Sequence, residues 1–175
     1  MLKVTTRKLE DMKKVLMDEN VFGPDETYFV VKNPSQNITI LLPDLLGKEL
    51  NKTYGHYHKP HYPEKYTLLY GEGAVLMQKL KNVNDYFGDV EEIKFTKLNL
   101  NEEFLIPEGY GHILVNLGNT LLITRDDWND KNAEHMYEPI ATKKGMGYYV
   151  VRDKEGKVEF IKNKNYKDLP DLVLV

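Results

Sequence analysis

The chain contains no cysteine among its 175 residues. That excludes disulfides, thiolate metal ligands and a cysteine nucleophile. Any metal must therefore be held by imidazole, carboxylate and water, a donor set that favours a first-row divalent ion. Long hydrophobic runs are also missing: no stretch approaches the roughly 18–20 apolar residues that cross a bilayer. The opening MLKVTTRKLEDMKKVLMDEN is too charged for the apolar core of a signal peptide. Nor is there an excess of positive charge. Lys and Arg number 24 against 27 Asp and Glu, a net charge of −3, so no global basic field exists to hold nucleic acid or an anionic membrane. Together these absences suit a cytoplasmic protein. Repeats, low-complexity linkers and domain breaks are equally lacking, and residues 1–175 read as a single domain.

What is present is mostly strand. A short amphipathic helix or arm is expected over 8–18, where Leu9, Met12 and Leu16 recur at helical spacing between lysines. From there the texture changes. TYFVVK, NITILLP, KTYGHYH, KYTLLY, AVLMQKL, EEIKFTKLNL, EFLIP, HILVNLG, TLLITR, GYYVVRD and KVEFIKN follow at short intervals, punctuated by Gly, Pro, Asn and Asp. This is the pattern of an all-β antiparallel sandwich or barrel. DKEGK (153–157) reads as a hairpin turn, and NVNDYFGDVEE (82–92) as an exposed excursion. The expected layout is an arm to about residue 25, a barrel over about 26–165 and a tail, 166–175, ending in an apolar patch.

Three of the chain's five histidines fall within YGHYHKPHYPEKYTLLYGEG, residues 54–73. If LNKTYGHYH is a strand, alternation sends His56 and His58 to one face, with Cα atoms roughly 6.5–7 Å apart. Two imidazoles so placed converge on an ion at about 2.0–2.2 Å. KPHYP then turns the chain, and Glu64 opens the return strand with Tyr66 and Leu68 on its face. His61 sits in the proline-flanked turn and reads as an ordinary surface residue. In a second segment, IPEGYGHILVNLGN, Pro107 and Gly109 shape a turn before a strand that starts at His112, with Leu114 and Asn116 on its face. His56, His58, Glu64 and His112 together would hold a divalent ion with net charge +1, leaving two octahedral positions open. Fe(II), Mn(II), Ni(II), Co(II) and Zn(II) all suit these donors.

Those residues carry a resemblance. H-x-H followed by a glutamate and a glycine matches the first cupin motif, with Glu64 one residue later than its commonest spacing. PEGYGHILVN matches the second, P-x-G-x-x-H-x-x-x-N. Leu50 and Asn101 stand where many cupins carry glycine. RKLEDM, TILLPDLLGKELNKTYGHYH, EKYTLLYGEGAVLMQ, FLIPEGYGHILVNLGN and EHMYEPIATKKG further resemble the archaeal-type glucose-6-phosphate isomerase family, the cupin form of that enzyme, over most of residues 7–165. The resemblance implies a cupin barrel or jelly roll and a metal, most often Fe(II), on His56, His58, Glu64 and His112. It implies that a sugar phosphate is held by Thr39, Thr53, the Gly55 backbone, Tyr66 and Tyr28, with His135 at the sugar end. Trp128 stands nearest to a family tyrosine, and the stretch from Trp128 to His135 is one residue longer than the family's.

The reaction implied interconverts glucose 6-phosphate and fructose 6-phosphate. Glu64 is the candidate base that moves a proton between C1 and C2; Tyr66, a metal-bound hydroxide and a direct hydride shift are alternatives. His135 is the candidate for ring opening. The same ligands serve cupin dioxygenases and decarboxylases, and a non-catalytic sugar-binding cupin is the remaining reading. Sheet edges and the apolar ends of the chain lead us to expect a homodimer.

Overall fold

A computed structural model describes residues 3–34, 36–128 and 131–175. The expected antiparallel β architecture is the one observed. One six-stranded sheet runs in the order β1 (Lys3–Lys8), β2 (Glu26–Asn33), β3 (Gln36–Leu41), β12 (Leu122–Asp126), β7 (Glu64–Tyr70), β10 (Glu103–Ile106). A second, four-stranded, orders β11 (Tyr110–Asn116), β8 (Gly73–Leu80), β9 (Val90–Lys97), β16 (Leu172–Leu174). A third has β15 (Val158–Lys162), β14 (Tyr148–Arg152), β5 (Glu49–Leu50) and β4 (Leu45–Leu46), and a small two-stranded sheet pairs β13 (Glu134–Met136) with β6 (Tyr57–Lys59). Leu41, Leu68, Val75, Leu76, Ile106, Val115 and Leu122 belong to one continuous apolar core between the layers. β8 is buried on both faces, with apolar Ala74, Val75, Leu76 and Met77 in succession, while burial alternates on β3 and turns Asn37, Thr39 and Leu41 inward.

The segment that carries the first two histidines departs from expectation. LNKTYGHYH is not one strand. Gly55 adopts a left-handed φ of +90° and splits it, so His56 precedes β6 instead of lying within it. Residues 52–56 still run antiparallel beside β11. The Thr53 amide donates to the Leu114 carbonyl at 2.9 Å, and His56 and His112 exchange backbone hydrogen bonds at 3.3 and 3.1 Å. That exchange keeps the two histidines side by side although the strand is broken. The turn before β11 forms as expected at Pro107–Gly109, with Gly109 at φ +82°. Asn101, standing where many cupins have glycine, itself takes φ +62°, a conformation asparagine tolerates better than most residues.

The N-terminal helix is much shorter than expected. Only α1 (Leu9–Met12) and a 3-10 turn at Lys13–Val15 form, and β1 precedes them. The reason is tertiary. A helix end needs partners for its last carbonyls; here Val15 O accepts from Lys52 Nζ at 2.9 Å, and the Met17 amide donates to Glu49 Oε1 at 2.5 Å. These bonds draw the chain out of the helix while Met12, Val15 and Leu16 are buried in the core. The tail also holds a strand that its composition did not announce: β16 adds to β9 in parallel, Leu172 opposite Ile93. The hairpin at 153–157 is present, with Asp153 N–H bonded to Lys157 O at 2.9 Å, and residues 81–89 form the expected exposed excursion. A second short helix, α2 (Glu138–Thr142), follows β13.

Candidate metal centre and adjoining cavity

His56, His58, Glu64 and His112 meet. One donor atom from each lies within 4.8 Å of all the others. His56 Nε2 stands 3.1 Å from His58 Nε2, and Glu64 Oε2 lies 3.0 Å from His112 Nε2 and 3.5 Å from His58 Nε2. Donors around one octahedral ion at ~2.1 Å stand roughly 3.0 Å apart at right angles and roughly 4.2 Å across it, so the spacing suits a shared cation. Two further observations support the fit. His58 Nδ1 lies 2.6 Å from the Tyr62 carbonyl; that nitrogen must carry the proton, which leaves Nε2 as a lone-pair donor aimed inward. Glu64 Oε2 and His112 Nε2 are buried with no hydrogen-bond partner among the described residues, an arrangement that is costly unless a cation joins them.

Electrostatics agree. Burial first, then its neighbour His112, lowers His58 to about 4, and burial likewise lowers His112 to about 4. His56 is held well below its ordinary value by burial and by His135, His112 and His58. All three imidazoles are thus neutral ligands at neutral pH. Glu64 is pushed up to about 8, chiefly by burial and then by Asp127; a divalent ion would reverse that preference and hold it ionised.

Beside the ligands opens a cavity of about 330 Å³, lined by β1, β2 and β3, by residues 53–56, and by Glu64, Tyr66, Asp126, His135 and Tyr137. Tyr28, Thr39, Thr53, Gly55 and Tyr66, the residues to which the resemblance assigns the sugar phosphate, all line it. Its hydrogen bonding is lopsided. Thr53 Oγ1 accepts from the Leu114 amide at 2.9 Å, and Tyr28 Oη accepts from the Tyr54 amide at 3.3 Å and from Arg7 Nε at 3.4 Å. Both hydroxyls therefore keep their own protons to donate. A Cβ on Gly55 would lie 2.6 Å from Ile113 Cγ2, so only glycine brings the backbone this close.

His135 arrives through β13, whose register sets it opposite His58. Its ring lies 4.0 Å from His56 and stacks on Trp128 at 4.2 Å and 29°. Trp128, buried, also packs 4.4 Å from His58; the longer stretch leading to His135 thus still delivers it to the ligands. His61 turns away, stacked on Tyr86 at 5.4 Å, and does not line the cavity.

Sequence reasoning missed Arg7, Asn37, Tyr54, Asp126 and Tyr137, all in the cavity wall. The Asp126 carboxylate accepts from the Asn37 amide, the Asn37 side chain and the Trp128 amide at 3.0–3.1 Å. Burial and then Glu64 push it up to about 7. The segments RKLEDM, TYGHYH and EHMY carried Arg7, Tyr54 and Tyr137 without marking them as site residues. Asn37 and Asp126 come from strands that read as ordinary β.

A family model described as glucose-6-phosphate isomerase (GPI) matches residues 30–168. Among curated proteins, the chain is 26% identical to glucose-6-phosphate isomerase of Thermococcus kodakarensis, over 95% of this chain and 89% of that one. It is 28% identical to the Pyrococcus abyssi protein of the same name, over 94% and 89%. Among solved structures, the Drosophila melanogaster CENP-C cupin domain aligns with a TM-score of 0.41 at 13% identity, covering 62% of this chain and 74% of that one.

Proposed function

The chain belongs to the glucose-6-phosphate isomerase family, and we propose that it interconverts glucose 6-phosphate and fructose 6-phosphate with one divalent ion held by His56, His58, Glu64 and His112. The observation that carries this is the meeting of those four donor atoms at the wall of a cavity rich in unspent hydrogen-bond donors. The ligand set contains no thiolate and suits Fe(II), which we propose as the resident metal. When bound, the ion supplies Lewis acidity at the carbonyl and hydroxyl oxygens of the open-chain sugar.

The rest of the chemistry falls to the chain's own groups. Thr39, Thr53, Tyr28 and the Gly55 amide hold the phosphate and fix which end of the sugar meets the ligands. Glu64 takes the proton from C2 of the aldose and returns it to C1. Tyr66, two residues along the same strand, donates a hydrogen bond to Glu64 and eases the carboxyl downward from its raised value. His135, stacked between His56 and Trp128, acts at the sugar end as the group that opens the ring. Tyr66 and Trp128 are buried beside the ligands.

A coupled assay of fructose 6-phosphate isomerisation, with and without a chelator, tests the reading. Turnover that falls on chelation and returns with Fe(II) supports it; absence of turnover with every first-row divalent ion refutes it. With substrate deuterated at C2, wash-out of label into water supports proton transfer by Glu64, and full retention at C1 argues for a hydride shift. We further propose a cytoplasmic homodimer. Leu69, Tyr70, Leu100, Leu105, Leu121, Leu174 and Val175 remain more than a third exposed, an apolar surface a second copy would cover. A monomeric mass in light scattering would refute it.

A further inference from the structure

We propose that Arg7, on the N-terminal strand β1, is a substrate-binding residue that supplies the cationic contact to the phosphate group. The phosphate's identity rests on the isomerase reading; the anion preference does not. Arg7 is half-buried and lines the cavity. Its Nε–H donates to the Tyr28 hydroxyl at 3.4 Å. Its guanidinium carbon lies 5.0 Å from the Tyr54 ring and 5.5 Å from the Tyr137 ring, two rings packed edge to face at 5.6 Å. Aromatic faces and a hydroxyl hold the cation, and no carboxylate forms an ion pair with it among the described residues.

That is an unusual setting for an arginine kept only for packing. Guanidinium carries five N–H donors, and the one contact to Tyr28 accounts for a single donor. The others sit on a planar fork whose orientation the two rings fix, the geometry that grips a phosphate through two oxygens. Tyr28, having accepted from Arg7 and from the Tyr54 amide, turns its own proton outward, so the two side chains present donors as a unit. Tyr137 links this end of the cavity to the ligands, its ring 5.5 Å from His56 as well as 5.5 Å from Arg7. The strand that carries Arg7 is held to β2 with Arg7 opposite Tyr28, so the N-terminal strand is part of the binding site.

The test uses the full-length, metal-loaded protein and inorganic phosphate as probe. Phosphate affinity is measured by calorimetry, and KM and kcat for fructose 6-phosphate by the coupled assay, on wild type, Arg7→Met, Arg7→Gln and Arg7→Lys. The expected result is that Met and Gln weaken phosphate about 10–100-fold and raise KM by a similar factor, as loss of a charged hydrogen bond does. Metal content stays at the wild-type level, and Lys, which keeps the charge, recovers part of the loss. Gln retains a donor for Tyr28, so it reports even if Met does not fold. The proposal is overturned if a folded Gln or Met variant binds phosphate within about twofold of wild type, if the loss follows a fall in metal content, or if wild type binds no phosphate at millimolar concentration. A wild type that binds phosphate through Arg7 but isomerises nothing refutes the isomerase reading and supports this one.

Discussion

Replacing Lys52 by methionine offers the sharpest test of how the site is supported. Lys52 and Glu49 are each 2% exposed and joined at 2.5 Å. Lys52 Nζ also holds Val15 O at 2.9 Å, Glu49 Oε1 accepts the Met17 amide, and the ammonium lies 5.4 Å from the Tyr149 ring. One buried pair thus ties the N-terminal segment to the stretch that leads into Thr53 and Gly55. Methionine fills a similar volume but leaves a buried carboxylate without its cation and a carbonyl without a donor. Breaking a buried pair on one side costs about 3–5 kcal/mol. At ~2–4 °C per kcal/mol for a chain of this size, melting should fall by about 6–20 °C. The double variant Lys52→Met/Glu49→Leu removes both charges. It should recover part of the loss and stay about 1–3 kcal/mol below wild type, because Val15 O and the Met17 amide remain unpaired. Urea unfolding of the metal-loaded protein, as wild type, Lys52→Met, Glu49→Leu and the double variant, measures the coupling. A loss under about 1 kcal/mol for Lys52→Met, or a double variant less stable than either single one, would refute this account.

Four other expectations follow from the site. Glu64→Gln should lower metal content, read by elemental analysis, and cut kcat/KM by at least about 10²–10⁴-fold; a variant that keeps both contradicts Glu64 as ligand and base. Metal loading should expel a proton. Metal-free Glu64 titrates near 8 while His58 and His112, near 4, are already neutral, so at pH 7 about one proton should leave per ion, and apparent affinity should climb about tenfold per pH unit until near 8. Calorimetry in buffers of different ionisation enthalpy counts that proton, and a count near zero would contradict the raised carboxyl. The same shift sets a stability trend: folded metal-free protein keeps a proton on Glu64 that the unfolded chain has lost above its ordinary 4.5. Above about 6.5 the histidines no longer contribute a slope, so metal-free stability should fall as pH rises from there to 8; Asp126, raised to about 7 mainly by burial, adds to the fall below 7, and the metal-loaded protein should keep no more than that part. Gly55→Ala should disturb the His56 backbone, since its Cβ would meet Ile113 at 2.6 Å at a φ of +90°. Beyond the roughly 1–2 kcal/mol of left-handed strain, metal affinity should drop, and unchanged affinity in equilibrium dialysis would argue against Gly55 as the pivot.

The helix expected over 8–18 and the strand expected through 50–58 show where local reading stops. Both were cut short by partners distant in sequence: Lys52 and Glu49 take the polar groups that would have continued the helix, and Ile113 crowds the spot where a Gly55 side chain would lie. The tail strand β16 escaped for a similar reason, since a parallel partner 79 residues back at Ile93 leaves no trace in a three-residue pattern. His135 and Arg7 belong to the same class, each placed by a pairing, with β6 and with β2, that no local period encodes.

By itself the sequence determined the antiparallel β texture, the absence of thiolate chemistry, and the candidates His56, His58, Glu64 and His112, because strand alternation and glycine-shaped bends are short-range constraints; that His112 meets the other three rests on its long-range pairing with His56. Tertiary structure alone decided which further groups enclose the cavity. It brought His135 and Trp128 against the ligands, set Arg7 between two tyrosines, and buried Lys52 with Glu49. Those placements depend on chain segments distant in sequence, including the Val15–Met17 stretch that covers the neighbouring Lys52 and Glu49, where burial and hydrogen-bond satisfaction, rather than local propensity, select the partner.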